Sequence, residues 1–198
     1  MANKLAFFER VHKLRGIDRC SNTSHVKSYS VAQHSFYLAL YAMVFAHLEN
    51  EKIAEEGGID DSLYNIELVL QKALVHDLEE SITGDILFPL HNDYPEFKDK
   101  LDFIRNRCVE AEVFQELSLY TREKFIQAWK SAKDDSKEGQ LVACMDKFEI
   151  LIYAISEIQL GNVEFYQIYS NAISIIQDNF RIPSVLEVIE EITDAYGE

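Results

Sequence analysis

The sequence predicts an all-α protein, on two observations. Pro and Gly number only 3 and 7 among 198 residues while hydrophobic residues reach 47%, a balance that favours long helices over turn-rich β architecture. Between a few polar breaks, apolar residues fall at helical spacing, with no internal repeat and no low-complexity segment. The length suits one domain, residues 1–198, with a substantial buried core.

A first helix is expected over about residues 3–16, with Leu5, Phe8, Val11 and Leu14 on one stripe and Gly16 as its stop. The polar stretch "IDRCSNTSHVKSYS" is a loop whose Ser30 can cap a second helix, roughly 31–50. "EEGGIDDS" breaks that helix, and Asp61 or Ser62 can cap a third of about 63–81. Gly84, Pro89 and Pro95 define a loop across 83–94, followed by helices near 95–118 and 121–133. "KDDSKEG" leads into an apolar helix over 137–160 closed by Gly161; a helical segment over 162–181 and a last helix after Pro183 complete the chain.

A formal charge of −15 argues against nucleic-acid polymers, whose binding depends on neutralising phosphates with Lys and Arg. Residues 1–30 nevertheless hold Lys4, Arg10, Lys13, Arg15, Arg19 and Lys27 against Glu9 and Asp18. That asymmetry permits a small anionic ligand near the N-terminal segment; the alternative is a solvated helix face. The start "MANKLAFFERVHKL" lacks a continuous apolar stretch and a small-residue cleavage site, and the most apolar run, "FYLALYAMVFAHL", is too short to span a bilayer. A cytoplasmic location with no membrane partner is therefore expected. Cys20, Cys108 and Cys144 are odd in number and unrelated in spacing, which predicts free thiols.

"ALVHDLEESITGD", residues 73–85, collects ionisable groups beside an apolar helical run. At about 100° per residue, with His76 at the origin, Asp77 falls near 100°, Glu80 near 40° and Glu79 near 300°. Glu80 then lies between His76 and Asp77 on one face, and Glu79 points away as a bystander. A cation over that face could be ligated by His76 and Asp77, leaving Glu80 free to handle a proton. Further ligand candidates lie on two other helices: His34, early in the second, and Asp146, which interrupts "LVACMDKFEILIYAI". Singly, His34 reads better as a hydrogen-bonded core residue and Asp146 as the partner of a base such as Lys147. Jointly they favour a metal, because an unpaired carboxylate between hydrophobic stretches is expensive to bury.

The order His34, His76-Asp77, Asp146 resembles the HD-domain phosphohydrolases, and within them the chain is most similar to the bacterial 5′-deoxynucleotidases, the YfbR-like group. The similarity runs through "GIDRC", "YSVAQHS", "VHDLEESITGDIL" and "MDKFEILIYAISEIQLGN", most of the length. It implies an HD-domain bundle of about seven or eight helices that binds nucleotide. His34, His76, Asp77 and Asp146 match the metal ligands and Glu80 the acid/base glutamate. Arg19 matches the arginine that orients the phosphate. Asp85, Ile86, Leu87 and Phe88 match the nucleotide-contacting segment, to which Cys20, Asp77 and Asp146 also belong as substrate-binding positions. Two departures stand out: Cys20 replaces an aromatic residue, and Phe88 a polar one, so weaker deoxyribose selectivity is expected. His12, His25, His47 and His91 miss the extra-histidine spacings of two-metal relatives, which implies one ion; mixed imidazole and carboxylate ligands admit Mn, Co, Fe, Ni or Zn.

The activity implied is metal-dependent hydrolysis of the 5′-phosphate of (deoxy)nucleoside monophosphates, a phosphoric monoester hydrolase reaction. The ion acidifies a bound water, Glu80 or Asp85 orients it or takes its proton, and Arg19 offers two parallel hydrogen bonds to the phosphoryl oxygens. Absent the resemblance, Arg19 is a loop residue paired with Asp18. Two rivals remain open: a deoxynucleoside triphosphate triphosphohydrolase, needing further bases among Lys13, Arg15, Lys27 and Lys147, and a catalytically silent nucleotide- and metal-binding module, which would not require both Glu80 and Asp85. A homodimer is expected from the resemblance and from apolar stripes at Ile173, Ile176 and Phe180 and at Val185, Val188, Ile189 and Ile192, whose alternative is ordinary core.

Overall fold

The structure is a computed structural model that describes residues 4–59, 62–86 and 94–197. Among these it is built from helices alone, with one isolated bridge pairing Asp18 and Ser30. Helix α1 (Lys4–His12) runs into a 3₁₀ turn, Lys13–Gly16. Its inward residues are Phe7 and Leu14, while Leu5 and Phe8 face solvent. The expected stripe is thus out of phase: apolar residues at 5, 7, 8, 11 and 14 cover more than one face, and the tighter final turn rotates Leu14 onto the side of Phe7.

Helix α2 (Val31–Glu55) begins as expected. Ser30 Oγ accepts from Gln33 N, and the Gln33 side chain accepts from Ser30 N at 2.9 Å. It runs one turn further than expected and stops before Gly57, at φ +79°. Helix α3 (Ile66–Val75) is capped by Asn65, whose side chain accepts from Leu68 N. Ser62 instead bonds the Ile59 carbonyl, and Asp61 lies outside the described residues.

The expected helix over 63–81 is not continuous. It ends at Val75, and the amides of Leu78, Glu80, Ser81 and Ile82 each bond the carbonyl three residues earlier before the short α4 (Glu80–Thr83) closes at Gly84, φ +74°. This tightening lies on the His-Asp pair, as helical irregularities at functional sites often do.

Helix α5 (Pro95–Cys108) passes into a π turn, Val109–Val113, which ends the expected 95–118 helix early. Helix α6 (Leu119–Lys130) starts on Ser118 and α7 (Lys137–Gln159) on Ser136, whose hydroxyl accepts from Gly139 N at 3.1 Å. Gly161, at φ +89°, ends α7 as expected; a 3₁₀ turn, Val163–Phe165, then leads to α8 (Tyr166–Asn179) and α9 (Pro183–Tyr196).

Helix α7 is the axis. Leu141, Val142, Met145, Leu151 and Ala154 are fully buried against α2, α3, α8 and α9, in a cluster that also absorbs Ile176, Val185, Ile189 and Ile192. Those terminal-helix residues are core, so the expected dimer stripes are not a surface. A second cluster joins Phe7, Leu14, Val31, Val75, Leu78, Val109, Val113 and Phe114. The His-Asp turn sits between them: Ala73 belongs to the first cluster, Val75 and Leu78 to the second. Among the described residues no helix is long and apolar enough to cross a membrane.

Candidate metal centre

His34 on α2, His76 and Asp77 in the tightened turn and Asp146 in the middle of α7 meet at one buried point. The Nε2 atoms of His34 and His76 are 3.3 Å apart. Asp77 Oδ2 is 2.8 Å from His76 Nε2 and 3.5 Å from His34 Nε2, and Asp146 Oδ1 is 3.2 Å from His34 Nε2. The partnerships expected of these residues taken singly are present, a buried hydrogen bond for His34 and an ion pair for Asp146, but they engage His34 Nδ1 and Asp146 Oδ2, not the atoms that face one another. Lys147 does sit 3.2 Å from Asp146, but on its other oxygen.

The tautomers follow from the partners behind the rings. His76 Nδ1 donates to the Ala73 carbonyl at 2.7 Å, and His34 Nδ1 donates to Glu149 Oε2 at 2.5 Å. In the neutral rings both Nε2 atoms therefore present lone pairs to each other and to two carboxylates, a repulsive arrangement that a cation resolves. Ligands about 2.1 Å from one ion lie about 3.0 Å apart at right angles and about 3.4 Å apart in a tetrahedron, which the separations among His34, His76 and Asp77 approximate; these three form the compact group, and Asp146 adjoins it through His34. The donor set therefore fits a divalent ion with mixed nitrogen and oxygen ligands.

The electrostatics agree. Burial works against ionised Asp77, but the adjacent His76, Lys133 and Arg19 outweigh it and hold the carboxyl far below the usual range. Asp146 is likewise held low against its burial by Lys133, Lys147 and His34. Burial and Arg19 oppose a charge on His34, yet hydrogen bonds to Asp146 and Glu149 raise its pKa; burial lowers that of His76. Glu80 moves the other way. Burial, then the charge of Asp77, lifts it well above an ordinary glutamate, and its Oε2 has no hydrogen-bond partner among the described residues. A buried carboxyl held ready to carry a proton is the property expected of a general acid/base.

Arg19 reaches the centre rather than Asp18. Its Nη1 donates to Asp77 Oδ2 at 3.3 Å, Nη2 lies 3.7 Å from Asp146 Oδ1, and the buried Nε is without a partner among the described residues. Asp18 is taken by the Ser28 hydroxyl. Asp85 is half-buried near enough for its charge to act on Arg19, and Ile86 follows it, half-buried as well. Leu87 and Phe88 lie outside the described residues. Cys20, next to Arg19, takes a left-handed backbone at φ +53°, and burial pushes its thiol up to about 11, so it stays neutral.

Sequence reasoning missed three partners. Glu149, 2% exposed, holds His34 from behind and also accepts the Tyr29 hydroxyl. Its signal was available: a second carboxylate three residues after Asp146 in the same apolar run. Glu157 is fully buried and accepts Val26 N at 2.7 Å, Lys27 N at 3.0 Å and Asn162 Nδ2 at 2.8 Å, while Asn162 also donates to the Ser24 carbonyl. These bonds moor the loop carrying Arg19 to the end of α7 and account for the "LGN" stretch. Lys133 donates to Asp146 Oδ2 at 2.8 Å. Glu79 does point away from the ligands, but into the protein: it is buried, accepts from Trp129 Nε1 at 2.6 Å, and burial beside Asp77 raises its carboxyl to about 7. Of the bases expected to be available for extra phosphates, Lys147 converges, whereas Lys13, Arg15 and Lys27 are exposed.

The helical bundle and its buried His, His-Asp, Asp set are those of an HD-domain phosphohydrolase. A protein of that description from Listeria innocua superposes with a TM-score of 0.80 at 26% identity, covering 98% of this chain and 90% of its own. The 5′-deoxynucleotidase YfbR-like family matches residues 6–196, and the chain belongs to it. Curated relatives include the 5′-deoxynucleotidase HDDC2 of Dictyostelium discoideum, 29% identical over 78% of this chain and 77% of its own, and a 5′-deoxynucleotidase of Vibrio vulnificus, 28% identical over 80% and 78%. The chain is accordingly a phosphoric monoester hydrolase acting on 5′-nucleotides.

Proposed function

We propose that residues 1–198 form one cytoplasmic hydrolase domain in which His34, His76, Asp77 and Asp146 hold a single divalent metal, Mn, Co, Fe, Ni or Zn. Its substrates are (deoxy)nucleoside monophosphates, split to nucleoside and orthophosphate. The observation that carries this reading is the compact group of His34, His76 and Asp77 ligand atoms, with Asp146 Oδ1 against His34, beside an unpartnered Glu80 oxygen and the Arg19 guanidinium. The bound ion supplies Lewis acidity and an acidified water.

The chain's own residues do the rest. Arg19 offers its planar donors, including the unpartnered Nε–H, to the phosphoryl oxygens and fixes their orientation. Glu80 accepts the proton of the attacking water as the new P–O bond forms, and O5′ takes a proton from solvent on the opposite face as the old P–O bond breaks, so the nucleoside leaves as a neutral alcohol. Asp85 and Ile86 line the nucleotide beyond Arg19. Cys20 stands beside the arginine as a small neutral thiol where the family resemblance implies an aromatic ring, which favours a relaxed preference for deoxyribose. Exhaustive chelation should abolish phosphate release and added Mn or Co should restore it; full activity in protein shown by metal analysis to be empty overturns this reading.

The active species is a homodimer. What supports this is an exposed stripe on α2 rather than the terminal helices: Phe36, Leu40, Val44 and Leu48, four apart, are 60%, 38%, 45% and 38% exposed, with Tyr37 beside them. A run of apolar side chains along three turns is more than a scatter of surface hydrophobes. A two-fold axis across α2 would bury it against itself.

A further inference from the structure

Lys133 lies outside every motif in the sequence, on the turn between α6 and α7. Its ammonium sits 2.8 Å from Asp146 Oδ2, while Asp146 Oδ1 faces His34 and Arg19. Three cations thus flank this carboxylate, Arg19 on one oxygen and Lys133 with Lys147 on the other. Lys133 acts on more than its partner: its charge bears on Asp77 and His76 as well. The side chain nonetheless remains 37% exposed, so it reaches the centre from the solvent side.

The turn is built to hold it there. Lys72 on α3, 2% exposed, donates to Asp134 Oδ1 at 2.7 Å, to Ser136 Oγ at 3.1 Å and to the Ser131 carbonyl. Gly139 lets Asp134 press against the first turn of α7, since a Cβ there would lie 2.5 Å from the Asp134 carbonyl oxygen. A buried lysine and a glycine contact therefore fix the backbone on either side of Lys133. A lysine that merely decorated the surface would need neither.

The charge balance points the same way. With Glu80 ionised to take up a proton, a divalent ion, Arg19, Lys133 and Lys147 offset Asp77, Glu80, Asp85, Asp146 and Glu149, whereas without Lys133 the centre would carry one net negative charge. An incoming phosphate dianion favours the former. We propose that Lys133 is a substrate-binding residue, whose ammonium passes from Asp146 to a phosphoryl oxygen of the nucleotide when the metal occupies the ligand carboxylates. The proposal rests on the hydrolase reading, and Arg19 and Lys133 then hold the phosphate from two sides.

The test uses the metal-loaded protein with Lys133→Gln and Lys133→Arg. Binding of inorganic phosphate by calorimetry, KM and kcat for a deoxynucleoside monophosphate, and metal affinity without phosphate are measured for each. An interaction made equally in ground and transition states raises KM and leaves kcat. Lys133→Gln is expected to weaken phosphate binding and raise KM at least tenfold, with kcat within threefold and metal affinity undiminished; Lys133→Arg should recover most of the loss. Phosphate binding unchanged in Lys133→Gln, or a loss explained by weaker metal binding alone, overturns the proposal and leaves Lys133 a counter-ion of Asp146. Wild-type protein that binds phosphate through Lys133 but releases none from monophosphates sinks the hydrolase reading instead.

Discussion

Replacing Glu149 tests how much of the metal centre's affinity comes from behind the ligands. The carboxylate accepts His34 Nδ1–H at 2.5 Å and the Tyr29 hydroxyl in a site 2% exposed. It therefore fixes both the tautomer and the basicity of the ring whose Nε2 faces the proposed metal position. Loss of such a partner weakens metal binding about 10–100-fold, or about 1.4–2.8 kcal/mol. Glu149→Gln keeps an acceptor and loses the charge, so about tenfold is expected. Glu149→Ala leaves His34 Nδ1–H and the Tyr29 hydroxyl unpaired, which places metal affinity at the upper end and costs about 2–3 kcal/mol of stability as well. Tyr29→Phe is the control, since it leaves the His34–Glu149 pair in place and should hold metal affinity within about threefold, less than the cost of a lost metal-site partner. Calorimetric titration of metal-free protein with Mn or Co, together with thermal unfolding, separates the two effects. Metal affinity within twofold of wild type in both Glu149 variants, whatever their stability, would refute the reasoning and make Glu149 a core hydrogen-bonding residue only.

Asp77→Ala should lose metal and activity together, whereas Glu80→Gln should retain metal and lose about 100-fold or more in kcat; equal metal loss in both would show that Glu80 is a ligand. Glu79 gives a pH prediction: its carboxyl is raised from 4.5 to about 7 in the folded protein by burial and Asp77, against Trp129 and Arg105. The folded state then binds more protons than the unfolded one in that window, so stability falls as pH rises from about 4.5 to 7, by on the order of 3 kcal/mol. Glu79→Gln should remove that fall and raise the melting temperature of metal-free protein at pH 7.5, and a variant whose pH profile parallels wild type would contradict the assignment. Val44→Glu on the α2 stripe should give a monomeric mass in light scattering at micromolar concentration; a dimer that survives it places the interface elsewhere.

The clustering of His34, His76, Asp77 and Asp146 was readable in the sequence because desolvation is a local argument. An Asp in an apolar run and a His-Asp pair beside Glu80 announce their cost without any knowledge of the fold. The helical angles also put Glu80 over the site and Glu79 off it, although the helix they assumed breaks at Val75. What they could not show is where "away" leads, and Glu79 points into Trp129 rather than solvent. The phase of α1 was ambiguous for a similar reason, since Leu5, Phe7, Phe8, Val11 and Leu14 offer two apolar faces and only packing against Phe114 chooses Phe7. The terminal stripes were correctly apolar, but periodicity does not distinguish a core face from an interface, and α9 buries Val185 and Ile189. Lys133 and Glu157 depend on partners 13 and 131 residues distant, Asp146 and Val26. Their side chains in sequence are ordinary surface-type residues, and only the folded turn and loop give them a role.

The central claim is hydrolysis of the 5′-phosphate ester at this metal centre, and product identity tests it most directly. Ribo- and deoxyribonucleoside mono-, di- and triphosphates are incubated with the Mn- or Co-loaded protein, and the released anion is identified. Orthophosphate and free nucleoside from the monophosphates are expected, with longer phosphate chains poor substrates because a pocket closed around one phosphoryl group leaves their extra charges unpaired. Ribonucleotide rates are expected to approach the deoxyribonucleotide rates, given the small Cys20 beside Arg19. Intact tripolyphosphate released from a triphosphate, with the monophosphates untouched, would contradict the account.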